Sequence, residues 1–166
     1  ILDSKLRVAI AEALGYAVTQ SYIPGQLLIH VPDGSLRTVI SLGDVDGDNY
    51  RERILASALA ELQVLDAGSR GISSLGGLEF AINLTTLNLA GNNLGNGQLD
   101  KLQPATVTEG DAVGFEVGLS QLQNLALDFN PLSDLSALEE LTALSRLSID
   151  GDHASQLLTQ VPDLRW

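Results

Sequence analysis

From Leu62 onward, residues return at fixed offsets in the pattern L-x-x-L-x-L-x-x-N-x-L, four times over and with substitutions. The copies carry Leu62, Leu65, Ala67, Arg70 and Ile72; Leu84, Leu87, Leu89, Asn92 and Leu94; Leu122, Leu125, Leu127, Asn130 and Leu132; and Leu144, Leu147, Ile149, Asp152 and Ala154. Their starts are separated by 22, 38 and 22 residues, so the array keeps one period and is interrupted once, by 16 residues. A unit this short cannot bury its apolar side alone. It must stack on its neighbours, each supplying the next with a core wall.

The offsets dictate the geometry of one unit. Two apolar residues spaced two apart, such as Leu87 and Leu89, point to the same side of a short strand. The asparagine three residues later has the donor and acceptor to satisfy buried backbone groups where the chain turns away from that strand. Leu75 and Leu78, like Leu135 and Leu138, sit three apart, which suits a short 3₁₀ or helical turn on the far side. The expected class is therefore an α/β solenoid with short parallel concave strands and convex 3₁₀ or helical turns.

Two stretches carry a resemblance, GISSLGGLEFAINLTTLNLAGNNL at 71–94 and LQNLALDFNPLSDLSALEELTAL at 122–144. Both resemble the leucine-rich repeats of internalin-type bacterial proteins, over roughly residues 55–166. The resemblance implies a non-catalytic, adhesin-like or recognition module of a secreted or cell-surface protein, whose partner is another protein or a surface glycan.

A stacked array needs a cover for its first leucine layer. Residues 3–15, DSKLRVAIAEALG, read as an amphipathic helix with Leu6, Ile10, Ala13 and Leu14 on one side, Asp3 or Ser4 as N-cap and Gly15 at the end. This stretch is also similar to the helical cap that precedes internalin-like repeats. Residues 1–61 then form an N-terminal cap with a β excursion at about 16–53, in which GQLLIHV (25–31) and LRTVISL (36–42) flank the turn PDGS. Residues 62–166 form the repeats. The interruption falls at about 103–118, where ATVTEGDAVGFEVG (105–118) reads as a second hairpin.

Charge and composition exclude several functions. A net charge of −12 opposes binding to nucleic-acid phosphates or to an anionic membrane surface. With no cysteine there is no disulfide framework and no thiolate metal site. No apolar run approaches the roughly 20 residues of a membrane span, so membrane insertion is not expected. The chain starts at Ile1 without methionine and stops at Trp166 where a further repeat would begin, so a mature or excised piece of a larger protein is expected.

The one metal-like pattern is GDVDGDNYRERIL at 43–55. Asp44, Asp46 and Asp48 occupy positions 1, 3 and 5 of a loop that resembles half of an EF-hand or dockerin calcium site, with Glu52 at position 9. Asn49 replaces the usual glycine at position 6, and Leu55 replaces the bidentate acid at position 12. The competing reading is a solvated acidic turn. Ca²⁺ is thus a candidate, and no cofactor is required. Nothing points to catalysis. His30 and His153 lie far apart, Ser73 lacks the strand–elbow–helix context of a hydrolase nucleophile, and no glycine-rich phosphate loop precedes a helix. Asn83-Leu84-Thr85 is formally a glycosylation sequon, but Asn83 stands at a turn where its amide serves the backbone.

The concave strands supply the candidate partner surface. Its outward positions are Val64, Asp66 and Gly68; Thr86, Asn88 and Ala90; Asn124, Ala126 and Asp128; and Arg146, Ser148 and Asp150. With neighbouring strands about 4.8 Å apart, Asp66, Asn88, Ala126 and Ser148 should form one row, and Gly68, Ala90, Asp128 and Asp150 the next. Phe129 is the single aromatic near the edge. Arg146 is the single residue within the face of a type that usually anchors interfaces. The inserted loops are expected to add contacts.

Overall fold

The computed structural model of the chain describes residues 3–15, 17–20, 26–30, 36–41, 59–107 and 114–150. Helix α1 spans Ser4–Ala13 and is followed by strands β1 (Ala17–Gln20), β2 (Gln26–His30) and β3 (Leu36–Ser41). Strands β4 (Val64–Asp66), β5 (Thr86–Asn88), β8 (Asn124–Ala126) and β9 (Arg146–Ser148) are one to each repeat, and β6 (Ala105–Val107) with β7 (Phe115–Val117) interrupts them. Three 3₁₀ segments, Leu78–Phe80, Asn96–Leu102 and Ser136–Glu140, lie between the strands of the array.

The repeat period holds in space. Strands β4, β5, β8 and β9 pair in parallel, in that order, with Leu65, Leu87, Leu125 and Leu147 in one register column. Their side chains enter the core, where Leu65 is fully buried and Leu87 and Leu125 nearly so. On the far side one 3₁₀ segment begins at Leu78 and another just after Leu135, and Leu75, Leu78, Leu135 and Leu138 are all fully buried. The three-residue spacing works because a 3₁₀ turn puts i and i+3 on the same side.

The asparagines of the second and third copies tie their own coil to the one before. The Asn92 side chain is buried; its Nδ2 donates to the carbonyls of Ala67 at 2.9 Å and Leu89 at 2.8 Å, and its Oδ1 accepts from the amides of Ile72 at 2.9 Å and Arg70 at 3.2 Å. Asn130 repeats the motif one coil on, with Nδ2 donating to Leu89 O and Leu127 O and Oδ1 accepting from Leu94 N. The direction of these bonds explains why the first copy departs from the pattern. A residue at that position serves the preceding layer, and before the first coil that layer is helix α1. Arg70 accordingly pairs with Glu12 of the helix at 2.7 Å.

Helix α1 closes the array as expected. Asp3 is the N-cap, its Oδ1 accepting from the amides of Lys5 and Leu6, and Gly15 follows the helix at a φ of +83°. Leu6, Ala9 and Ile10 join the leucine core beside Leu59, Leu62 and Leu65. Ala13, expected on that face, is exposed; Ala9 takes its place in the stripe, and Leu14 just beyond the helix still packs against the core. Ala13 is the last helical residue, and a methyl group there is too short to reach the layer that Leu14 touches.

The cap excursion holds the expected antiparallel pair β2–β3, with an irregularity between Leu28 and Ile29, and a third strand, β1, on the other edge of β2. The sequence reading did not anticipate β1. Its four residues, AVTQ, are too short and too weakly alternating to stand out. The second insertion is the expected hairpin, β6 pairing with β7 so that Val107 faces Phe115. It leaves the array at Gln103 and returns at Gly118, whose amide donates to Glu79 O at 2.6 Å. Phe115 stacks on Phe80 with ring centroids 6.5 Å apart. The hairpin therefore lies over the convex turns.

Candidate functional site

The exposed side of the parallel sheet is built by short strands whose alternation sends one residue inward and its neighbours outward. Register places Val64, Thr86, Asn124 and Arg146 in one row, and Asp66, Asn88, Ala126 and Ser148 in another. Past the strand ends the ladder continues, Ser69 N donating to Ala90 O, Gly91 N to Asp128 O and Phe129 N to Asp150 O. Gly68, Ala90, Asp128 and Asp150 thus follow as the next row. Every residue expected to form this surface lies on it or at its rim.

Much of the face is preorganised by hydrogen bonds between adjacent coils. Asn88 Nδ2 donates to Asp66 Oδ1 at 2.8 Å, Asn124 Nδ2 to Thr86 Oγ1 at 3.1 Å, and Ser148 Oγ to Asp128 Oδ1 at 2.9 Å. Asp66 Oδ1 also accepts from Gly68 N, and Asn88 Oδ1 from Ala90 N. A Cβ on Gly68 would come within 2.9 Å of the Asn88 amide, so glycine there keeps that polar row in place. Three carboxylates, Asp66, Asp128 and Asp150, share the face with one cation, Arg146, which stands in the row farthest from the Phe129 rim. Val64 is 60% exposed and Phe129 68%, giving the surface two apolar points at opposite ends.

The 103–118 insertion does not extend this surface. Its hairpin sits over the 3₁₀ turns, so the concave strands and the hairpin face opposite ways. The two regions are separate surfaces.

At the cap, Asp3 does more than end a helix. Its Oδ2 accepts from the Ser73 amide at 2.9 Å, the Ser73 hydroxyl at 3.2 Å and the Ser74 amide at 3.2 Å, while Lys5 Nζ reaches Gly71 O at 2.8 Å. Burial opposes ionisation of Asp3, but backbone hydrogen bonds from Ser73, Leu6, Lys5 and Ser74 together outweigh it and hold the carboxyl below its ordinary value. Ser73 is thereby engaged structurally. Sequence reasoning identified the cap but not this second contact, which spans 70 residues. Asn83 likewise serves the backbone, donating to Ala60 O at 2.8 Å.

The candidate calcium residues Asp44, Asp46, Asp48 and Glu52 lie outside the described residues, as do His153, Asp152 and Ala154. Among the described residues no group of three or more histidines, cysteines or acids is placed to hold a metal ion. Among them too, no helix is long and apolar enough to cross a membrane.

The sequence matches no protein-family model and no curated protein. The structure is similar to solved ones. An internalin (InlF) from Listeria monocytogenes aligns over 95% of this chain and 34% of its own length, with a TM-score of 0.50 and 19% identity. An internalin C2 (InlC2) from the same organism aligns over 90% of this chain and 65% of its own, with a TM-score of 0.29 and 20% identity. The likeness to InlF shows a leucine-rich-repeat solenoid fold, and the chain spans about a third of the length of InlF.

Proposed function

We propose that the chain is a non-catalytic protein-binding module that recognises its partner on the exposed face of sheet β4-β5-β8-β9. One observation carries this reading: the rows that begin at Val64, Asp66 and Gly68 run unbroken across the coils, their polar side chains already oriented by bonds such as Asn88–Asp66 and Ser148–Asp128. A surface held in this way loses little side-chain freedom on binding, so less of the interaction energy is spent on ordering. The internalin-like fold supports the reading, and with it a location at a bacterial cell surface or in the surrounding medium.

The test is a binding screen against purified surface-protein ectodomains, repeated with Asp128→Ala and Arg146→Ala. Loss of a confirmed interaction on either substitution supports the reading. An interaction indifferent to both, and to replacement of the whole concave face, overturns it and moves recognition to the convex hairpin.

A second reading has an observation in its favour. The polar side chains of the face satisfy one another, as they would in a rigid spacer or accessory module that displays another domain. In that case no concave substitution alters any interaction of the intact protein.

A further inference from the structure

Phe129 stands at a backbone position that favours glycine. Position eight of each copy carries the chain out of its concave strand, and it adopts left-handed backbone in all three described copies: φ is 55° at Ser69, 68° at Gly91 and 54° at Phe129. Glycine enters that region freely, whereas a bulky residue is an outlier there. The ring of Phe129 is left largely in solvent in exchange. It is 68% exposed and is not among the side chains packed on the leucine core. Gly91, at the same position in the preceding coil, has no side chain to cover it. A strained backbone position that presents an unburied aromatic points to use outside the fold.

Its surroundings decide the sign of what would bind. Phe129 follows Asp128 in sequence, and its amide bonds to the carbonyl of Asp150 at 3.0 Å in the next coil. Two acidic residues, Asp128 and Asp150, thus stand in the row next to Phe129, while Arg146 lies in the row at the opposite end of the strands. An arginine or lysine fits such a place doubly, its cation over the ring face and its charge toward the acids.

Building on the concave-face reading above, we infer that Phe129 is the anchor of that surface and that it receives an arginine or lysine from a basic segment of another protein. The acids supply attraction and on-rate, and the ring supplies the contact that closes over the aliphatic stem.

The inference is tested by panning phage-displayed random 12-residue peptides on the intact chain, then measuring a synthetic copy of the dominant insert by interferometry. Inserts rich in arginine or lysine are expected, with affinity falling about tenfold on Phe129→Gly and less on Phe129→Leu, which keeps the bulk and loses the π face. Phe129→Gly should melt at the same or a higher temperature than the parent, since the ring supports no packing. Neutral or acidic inserts, no enrichment over an albumin control, or affinity for Phe129→Gly within twofold of the parent each overturn it. So does a lowered melting temperature with binding unchanged, which would make the ring a packing residue. If Asp66→Ala and Arg146→Ala weaken binding while Phe129→Gly does not, the concave reading stands and the anchor falls. If all three leave binding intact and Phe115→Ala removes it, both fall.

Discussion

Asn92 holds the carbonyl of Ala67, in the coil before its own, through a 2.9 Å hydrogen bond from a side chain that is 7% exposed. Removing the amide would strand buried polar groups in two coils at once, each costing about 1–3 kcal/mol when left unpaired. Asn92→Ala should therefore lower stability by about 3 kcal/mol or more. Asn130→Ala, at a half-buried site, should cost less. Chemical denaturation of the two variants beside the parent ranks them, and equal midpoints would contradict the role assigned to burial.

Gly118 and Gly97 make a matched pair. Gly118 has a φ of +89°, and a Cβ there would strike the carbonyl of Gln103 and the Cα of Pro104, backbone atoms that cannot swing aside. Gly97 faces open space without a positive φ. Gly118→Ala should cost about 2 kcal/mol or more and loosen the hairpin, read as faster amide exchange in β6 and β7. Gly97→Ala should be neutral or stabilise by up to about 1 kcal/mol.

Asp3 predicts an acid response. Its folded-state pKa lies below the ordinary aspartate value, so the stability it contributes is fully present above that ordinary value and is lost as pH falls through the lower folded-state one. Asp3→Asn keeps an N-cap oxygen but turns an NH₂ toward the amides of Ser73 and Ser74. Thermal melts across the acid range should show the variant less stable at neutral pH and the gap narrowing below the ordinary aspartate pKa. A gap that widens on acidification would reverse the sign assigned here.

The Arg70–Glu12 pair joins cap to array, yet its side chains are 32% and 43% exposed. An ion pair so open to solvent contributes about 0.5 kcal/mol or less. A double-mutant cycle with Arg70→Ala and Glu12→Ala should return a coupling of that size, shrinking in high salt. The cap is secured chiefly by Leu6, Ala9 and Ile10.

What could be read in the sequence was whatever recurs or alternates. Leu65, Leu87 and Leu125 announce one column because they occupy one offset, and the concave rows follow from them by arithmetic. The hairpin strands β2, β3, β6 and β7 are legible from β-forming runs around turn residues. Contacts between distant segments leave no such trace. Nothing near Asp3 signals that it will also hold Ser73, and nothing near Phe115 signals Phe80. The 103–118 insertion could be located but not assigned to a face, because that depends on how the chain leaves Gln103 and re-enters at Gly118. The left-handed column was hidden for a different reason: serine, glycine and phenylalanine share a backbone angle there but no side-chain property.

The backward reach of the asparagines gives the solenoid a direction. Detaching the third coil takes away the partners that Asn130 gives to Leu94 and Leu89 of the second, but the second keeps Asn92 and its grip on the first. Loss at the helical end instead exposes leucines while leaving every later tie intact. Pulled apart or digested from its two ends, such an array would not unravel symmetrically: one end frays a rung at a time, and the other fails by wetting.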